Sequence, residues 1–265
     1  MSPTDATITW EDLSAPEIAA IGSEPGSIAV LPFGSTEQHG NHLPVFTDTL
    51  LATAVSRLGA ERVADSIPVA VTPSLWTGYS PHHLPFGGTI TVGFDTLMAL
   101  LEDVAASVLD NGFDALLLVN GHGGNGPLVT AATSTIGEAH PDADILSVTY
   151  FTLAQAFIDD IRDSGPGGMS HGGEFETSLM LHLHPDRVDV DQADADYLDE
   201  PYTHGLDDMM AGGPLSVYRS FDAYSDSGAI GDPGLATAEK GAEIFERLGD
   251  ELEAILTEIH EQNRS

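Results

Sequence analysis

The chain has 265 residues, and its 42 acidic residues against 8 basic ones give a formal net charge of −34. Its hydrophobic fraction of 42 % is that of a globular protein with a buried core, which excludes a disordered acidic protein. So negative a surface would repel nucleic acid and anionic membranes, so neither is an expected partner.

The same charge predicts a halophilic protein. At molar salt the Debye length falls to about 3 Å, which screens the repulsion among surface carboxylates. The first residues lack the basic and apolar blocks of a signal peptide, and no apolar run approaches the roughly 20 residues that span a bilayer. We therefore expect a cytoplasmic protein of an extreme halophile.

Short apolar runs alternate with helical patterns along the chain. Runs rich in Val, Ile and Leu predict buried parallel strands at residues 28–33, 67–71, 115–119 and 145–148. Amphipathic patterns predict helices at residues 48–64, 94–111, 127–139, 174–183 and about 235–263. The alternation predicts an α/β sandwich with a mostly parallel sheet, in one domain spanning residues 1–265. Residues 72–93 and 186–233 are predicted to be long, functional or partner-facing loops.

Potential metal ligands follow two of the predicted strands. Glu37, His39 and Asp48 come after the first strand, and His122 comes after the third. The carboxyl ends of parallel strands meet at one edge of a sheet, so these side chains are expected to converge there. Cysteine is absent, which leaves only His, Asp and Glu as ligands. The pattern predicts a metal site built from nitrogen and oxygen donors.

Ordinary structural roles are the alternative for each of these side chains. An Asp before a helix is often an N-cap, and a lone His in a glycine-rich loop often only forms hydrogen bonds. We expect such structural roles for the remaining loop histidines, which are His42, His82, His83, His140 and His204.

A third motif places His171 before a helix that carries Glu174 and Glu176 near its start. Carboxylates at a helix N-terminus are stabilised by the helix dipole, so one of them could be a simple cap. Residues two apart on a helix point about 200° apart. One of the two glutamates is therefore expected to reach the site, and the other is not.

Three segments of the chain carry these candidate residues: GSTEQHGNHLPVFTD at residues 34–48, NGHGGN at 120–125 and HGGEFETSLML at 171–181. In this order and at these separations, they resemble the creatininase family of metal-dependent amidohydrolases. The resemblance covers residues 31–181 and implies a creatininase-like three-layer α/β/α sandwich. With its acidic composition, the chain resembles a haloarchaeal-type member of the family. It also implies two divalent metal ions per chain (Zn, Mn or Fe(II)), a small-molecule amide substrate and a ring-like homo-oligomer, a hexamer.

The resemblance implies a role for each ligand. Glu37 would bind one metal, His39 the other, Asp48 both, and His122 the first. Creatininase itself has a GHYEN motif whose Glu is a metal ligand.

Gly124 stands at the position of that glutamate in this chain. Glu176 is the first candidate to replace the missing carboxylate, both as a ligand and in catalysis, and Glu174 is the second. His171 is expected to be the proton shuttle between water and the leaving amine.

The implied activity is hydrolysis of a C–N amide bond by a metal-activated water. Creatininase encloses creatinine with tryptophans that lie in the segment before its His-Gly-Gly turn. This chain has no tryptophan in that segment, since its two tryptophans are Trp10 and Trp76. We therefore expect a formamide or heterocyclic amide, since family members with GHGGN include formamidopyrimidine-nucleotide deformylases and mycofactocin peptidases. The alternatives are creatininase activity proper, from creatinine to creatine, and a non-catalytic oligomeric scaffold stabilised by metal.

Overall fold

A computed structural model describes residues 8–198, 202–205, 208–210 and 214–264. The strands are β1 (Ile28–Phe33), β2 (Val69–Val71), β3 (Ala115–Asn120), β4 (Asp144–Thr149), β5 (Met169–His171) and β6 (Ile230–Gly231). The helices are α1 (Ala15–Gly22), α2 (Thr47–Val63), α3 (Phe94–Leu109), α4 (Gly126–Ala139), α5 (Tyr150–Leu153), α6 (Glu174–Leu183) and α7 (Ala238–Asn263). Part of the predicted loop 186–233, at residues 199–201, 206–207 and 211–213, lies outside the described residues.

The main sheet is parallel throughout, with strand order β2-β1-β3-β4. β1 and β3 are its central strands, and they pair from Ile28 opposite Ala115 to Phe33 opposite Asn120. Every residue of both strands is buried, which explains why their sequences are continuous apolar runs. Because the two strands end side by side, the loops that follow them start as neighbours.

Alternate residues of β1 face opposite sides of the sheet. Val30 packs in a core shared with Val55 of α2 and Leu252 of α7. Leu31 packs in a second core with Leu101 of α3 and Leu128 of α4. Helices therefore cover both faces, and the predicted α/β/α sandwich with a parallel sheet is confirmed.

Several predicted boundaries differ from the observed ones by one to three residues, and two of these differences have a clear cause. The second strand begins at Val69 rather than residue 67, because the Ile67 N–H donates to the Val63 carbonyl and prolongs the end of α2. The last helix begins at Ala238 because Pro233–Leu235 forms a separate 3-10 turn. The Thr237 hydroxyl then caps α7 by accepting the N–H of Lys240.

Both predicted long loops contain short regular elements. A 3-10 helix, Pro81–Phe86, interrupts residues 72–93. β6 lies within residues 186–233. It pairs antiparallel with β5, the strand that precedes α6. Within the described part of the chain, no helix has both the length and the apolar composition needed to cross a membrane.

Candidate metal centre

The predicted ligands converge at the carboxyl edge of the main sheet. The loop after β1 carries Glu37 and His39, the first turn of α2 carries Asp48, the loop after β3 carries His122, and the first turn of α6 carries Glu176. Each is at most 4 % exposed. The structure thus brings together side chains that come from four separate segments of the chain.

Asp48 lies between the two histidines. Its Oδ1 is 2.9 Å from His39 Nε2, and its Oδ2 is 3.3 Å from His122 Nδ1. Glu37 Oε1 is 3.0 Å from the same nitrogen of His122, while Glu176 Oε1 is 3.8 Å from His39 Nε2. One carboxylate oxygen of Asp48 therefore faces each half of the cluster, as the bridging role requires.

Asp48 does not cap α2. The N-cap residue is Phe46, and no side chain caps the helix. Asp48 is instead the second residue of the helix and turns its carboxylate towards His39 and His122.

Backbone carbonyls fix which ring nitrogen of His39 and His122 faces the carboxylates. Nδ1 of His39 donates to the Glu37 carbonyl at 3.0 Å. Nε2 of His122 donates to the Tyr79 carbonyl at 3.3 Å, and the Ser80 hydroxyl, 3.1 Å from the same nitrogen, can also accept. A neutral imidazole carries one N–H, so the inward nitrogens, His39 Nε2 and His122 Nδ1, are left with lone pairs. Both histidines are held in the tautomer that a metal ligand needs.

The carboxylates need a cationic partner. Both oxygens of Glu37 and Oδ2 of Asp48 are buried and have no hydrogen-bond partner among the described residues. Burial opposes ionisation of Glu37, but neighbouring His122 outweighs it and lowers its pKa to about 2. Burial likewise opposes protonation of His122, yet Glu37 and Asp48 raise its pKa to about 10, so a cation that binds Nδ1 takes the place of a proton there. These residues fit divalent cations, because the nitrogen and oxygen donor set suits Zn, Mn or Fe(II).

The structure separates the two candidate glutamates of α6. Glu176 accepts the N–H of Gly172 through Oε2 at 2.6 Å and turns Oε1 towards His39. Glu174 is also buried, but it forms an ion pair with Lys240. A Cβ at Gly124 would lie 2.4 Å from His122 Nε2, so a glutamate at that position would displace His122. Glu176 is thus the carboxylate that reaches the cluster.

His171 ends β5 next to the cluster. Its Nε2 donates to the Gln38 carbonyl at 2.6 Å, which leaves a lone pair on Nδ1, 3.8 Å from Glu37 Oε1. Burial, reinforced by nearby His39, lowers the pKa of His171 well below its ordinary value. The side chain is therefore a neutral base that faces the site.

His83 is a member of the cluster that the sequence interpretation assigned to an ordinary loop role. It lies on the 3-10 helix Pro81–Phe86, is 1 % exposed, and has Nε2 3.3 Å from Glu37 Oε1. Its ligand atom groups with those of Glu37 and His171 within 4.8 Å. No strand end or motif precedes it, so spacing alone could not have identified it. Among the other histidines given structural roles, His42 hydrogen-bonds to Thr177 and His140 follows α4 as its C-cap.

An aromatic residue covers the histidines. The Phe221 ring lies 4.2 Å from that of His83 and 5.2 Å from that of His171, measured between centroids. Two residues earlier, the guanidinium of Arg219 lies 5.1 Å from the ring of Tyr202 and 5.6 Å from that of Tyr224. The predicted loop 186–233 therefore contributes to the site, although no sequence motif marked these residues.

Known proteins are similar to this chain over most of its length. The family model for creatininase (creatinine amidohydrolase) matches residues 11–256. A mycofactocin precursor peptide peptidase of Mycobacterium tuberculosis is 36 % identical over 228 residues, which is 84 % of this chain and 81 % of that protein. A creatinine amidohydrolase of Pseudomonas putida is 32 % identical over 201 residues, or 70 % and 73 % of the two chains. A 3-dehydro-scyllo-inosose hydrolase of Thermotoga maritima is 30 % identical over 252 residues, or 89 % and 78 %.

Solved structures share the fold. A mutant creatininase complexed with creatine superimposes with a TM-score of 0.79 at 28 % identity, covering 96 % of this chain and 98 % of that one. A manganese form of creatininase gives a TM-score of 0.77 at 27 % identity, covering 97 % and 99 %. A mutant described as a Zn-Zn type gives 0.79 at 27 % identity with the same coverage.

Proposed function

Because this chain belongs to the creatininase family of metal-dependent amidohydrolases, we propose that its buried cluster holds two divalent cations and hydrolyses a C–N amide bond of a small molecule. The observation that carries the proposal is the position of Asp48, whose two oxygens face His39 and His122 separately. A carboxylate placed in this way can bind two cations at once.

The remaining ligands divide between the two halves of the cluster. Glu37 lies with His122, and together with one oxygen of Asp48 they would hold the first cation. Glu176 lies with His39, and with the other oxygen of Asp48 they would hold the second. Glu176 thereby supplies the carboxylate that a glycine at position 124 cannot.

The chemistry is shared between the cations and the chain. When bound, a pair of divalent cations acts as a Lewis acid on the amide carbonyl and lowers the pKa of a water molecule. His171 takes a proton from the attacking water at Nδ1 and gives it to the leaving nitrogen, while its Nε2–H stays on the Gln38 carbonyl. Phe221 lies against His171 and His83, where it keeps bulk water away from the protons being moved.

For the substrate, we favour a formamide or another amide on a heterocycle. The ring of Phe221, with His82 5.1 Å away, offers an aromatic surface to a planar base. Neither tryptophan ring contacts the cluster among the described residues, since Trp10 stacks on Phe113 and Trp76 is 47 % exposed. Arg219 has no carboxylate partner among the described residues, so it is the candidate to bind an anionic group such as a phosphate.

A peptide amide is the second candidate, and sequence similarity favours it. The chain is 36 % identical to a mycofactocin precursor peptide peptidase over 84 % of its length. The same cluster could hydrolyse a peptide C–N bond, because its residues act on the amide group and not on the rest of the substrate.

One panel of assays in molar salt separates these substrates. The protein is loaded in turn with Zn, Mn or Fe(II), the last without oxygen. It is then given a formylated aminopyrimidine nucleotide, a set of short peptides and creatinine. Formate release at the highest turnover supports the formamide, whereas faster peptide cleavage or creatine formation assigns the site to the corresponding alternative. Absence of turnover of all three by protein carrying two metals per chain would point to the scaffold.

We also propose that residues 1–265 form one domain and that the protein works in the cytoplasm as a homo-oligomer, a hexamer. The family resemblance is what supports the hexamer. Light scattering coupled to size-exclusion chromatography in molar salt measures the mass directly, and a monomeric mass would contradict the proposal.

A further inference from the structure

The buried histidines of the centre differ in the group that each holds with its outward nitrogen. For His39, His122 and His171 that nitrogen faces a backbone carbonyl, which can only accept a hydrogen bond. His122 Nε2 also lies 3.1 Å from the Ser80 hydroxyl, which can accept as well. His171 Nε2 lies 3.3 Å from the Gln38 side-chain nitrogen but only 2.6 Å from the Gln38 carbonyl. Each of these rings therefore carries its hydrogen outward and points a lone pair into the site.

His83 is held in the opposite way. Its Nδ1 lies 2.7 Å from the side-chain nitrogen of Gln38. The orientation of that amide is fixed by two further contacts, since its oxygen accepts the N–H of Gly40 at 2.8 Å and its nitrogen donates to the Gly228 carbonyl at 2.9 Å. If the amide were flipped, its NH2 group would face the N–H of Gly40 and its oxygen would face the carbonyl oxygen of Gly228, and neither pair can form a hydrogen bond. The Gln38 nitrogen is therefore the donor, and Nδ1 of His83 is the acceptor.

Gly228 makes room for this arrangement. Its φ of 89° lies in the left-handed region, and a Cβ there would come 2.1 Å from the side-chain oxygen of Gln38. The fold thus provides a specific place for the amide that sets the tautomer of His83.

The hydrogen-bond pattern determines what His83 presents to the centre. A neutral imidazole that accepts at Nδ1 must carry its hydrogen on Nε2. That nitrogen is buried, lies 3.3 Å from Glu37 Oε1, and has no hydrogen-bond partner among the described residues. It has no lone pair to offer a cation in this tautomer, although its position beside Glu37 resembles that of a ligand.

We propose that His83 is a positioning residue: it keeps an N–H directed at the carboxylate of Glu37, 3.3 Å away, for a hydrogen bond that forms when Glu37 binds its cation, and Gln38 sets its tautomer. The donor holds Glu37 in the orientation that faces His122 and the first cation. The inference rests on the proposed metal-binding role of Glu37. Groups that orient a metal ligand in this way typically contribute 10- to 100-fold to metal affinity.

Neutron crystallography of the metal-loaded enzyme tests the tautomer without any substitution. The expected result is a deuteron on Nε2 of His83 and none on its Nδ1. A deuteron on Nδ1, with Nε2 bound to a cation, would overturn the inference. If the proposed metal-binding function is wrong, the result differs: a crystal of protein treated with metal would show no cation near Glu37.

Metal affinity tests the role. Chelator competition in molar salt should show binding of one cation, the one that Glu37 holds, reduced roughly 10- to 100-fold in His83→Leu, with two metals per chain still reached at saturation. His83→Gln, which keeps an N–H donor, should recover part of the loss. His140→Gln, a histidine change at the end of α4, is the matched control and should bind as the wild type does.

Two outcomes of the affinity measurement oppose the inference. Saturation of His83→Leu at one metal per chain would make His83 a ligand. Unchanged affinity together with a lower kcat would make it a donor to the substrate instead of Glu37. Gln38→Glu adds an independent check: a carboxylate must accept from Nδ1, so the deuteron should move there and metal affinity should fall as in His83→Leu.

Discussion

Glu174 and Glu176 lie two residues apart in the first turn of α6 and serve different parts of the molecule. Glu174 forms an ion pair with Lys240 of α7 and accepts the backbone N–H groups of Asp163 and Ser164, each at 2.9 Å. Glu176 turns towards His39 in the metal centre. One buried carboxylate anchors the helix, and its neighbour is available to a cation.

The pair provides a matched test of the second metal site. Glu176→Gln should lose one of the two cations and reduce kcat by at least about a hundredfold, because His39 and Asp48 alone hold a cation poorly. Glu174→Gln should keep both. Metal content by mass spectrometry on protein folded in molar salt decides between them, and equal metal content in the two variants would contradict the assignment.

Glu174 should instead contribute to stability, and in a pH-dependent way. Burial opposes its ionisation, but Lys240 and the N–H groups of Asp163 and Ser164 outweigh this and lower its pKa. A lowered folded-state pKa stabilises the fold above the ordinary Glu pKa of about 4.3, and this stabilisation is lost as pH falls through the folded-state value.

The free energy of unfolding of Glu174→Gln should therefore be lower than that of the wild type by roughly 1.5–3 kcal/mol at pH 7. Urea titrations in molar salt measure the difference, which should shrink in acid below the ordinary Glu pKa. A deficit that is independent of pH would show that the charge of Glu174 is not its source.

Asp48→Ala should remove both cations and all activity. Asp48 faces His39 and His122 with different oxygens, and without it two cations would repel each other with no bridging carboxylate between them. Metal content per chain is again the measurement. Asp103→Ala, at an exposed position of α3, is the control and should retain both metals. Two metals per chain in Asp48→Ala would refute the bridging role.

Arg219→Gln should distinguish anionic from neutral substrates. Loss of a charge-assisted hydrogen bond worth roughly 1.5–3 kcal/mol would raise KM for a phosphate-bearing amide about 10- to 100-fold, with KM for an uncharged formamide unchanged. Arg187→Gln, at an exposed arginine in the 3-10 helix Pro185–Arg187 that follows α6, is the matched control. If the variant affects both substrates equally, Arg219 does not select for the anionic group.

Folding should require high salt. A net charge of −34 on one chain repels itself strongly once the Debye length grows from about 3 Å at molar salt to about 10 Å at 0.1 M. Dilution from molar to 0.1 M salt should therefore lower the thermal midpoint or unfold the protein, as followed by circular dichroism. A spectrum and midpoint that do not change on dilution would contradict the halophilic interpretation.

The sequence by itself determined the layers of the fold and most of the proposed ligand set. Continuous apolar runs specify strands buried on both faces, and the observed β1 spans the predicted residues 28–33. Glu37, His39 and His122 could be predicted because they follow parallel strands, and the carboxyl ends of such strands share one edge of the sheet. These features depend on local pattern and on a general rule of topology.

Only the tertiary structure decided the contacts between distant segments. Gln38 meets His83 45 residues later and Gly228 190 residues later, and no periodicity encodes such meetings. Helix geometry predicted that only one of Glu174 and Glu176 reaches the site. The position of Lys240 on α7, which pairs with Glu174, was needed to show which one it is. A hydrogen-bond partner fixes a histidine's tautomer and a neighbouring charge fixes a carboxylate's role, and both are properties of the packed chain rather than of its local sequence.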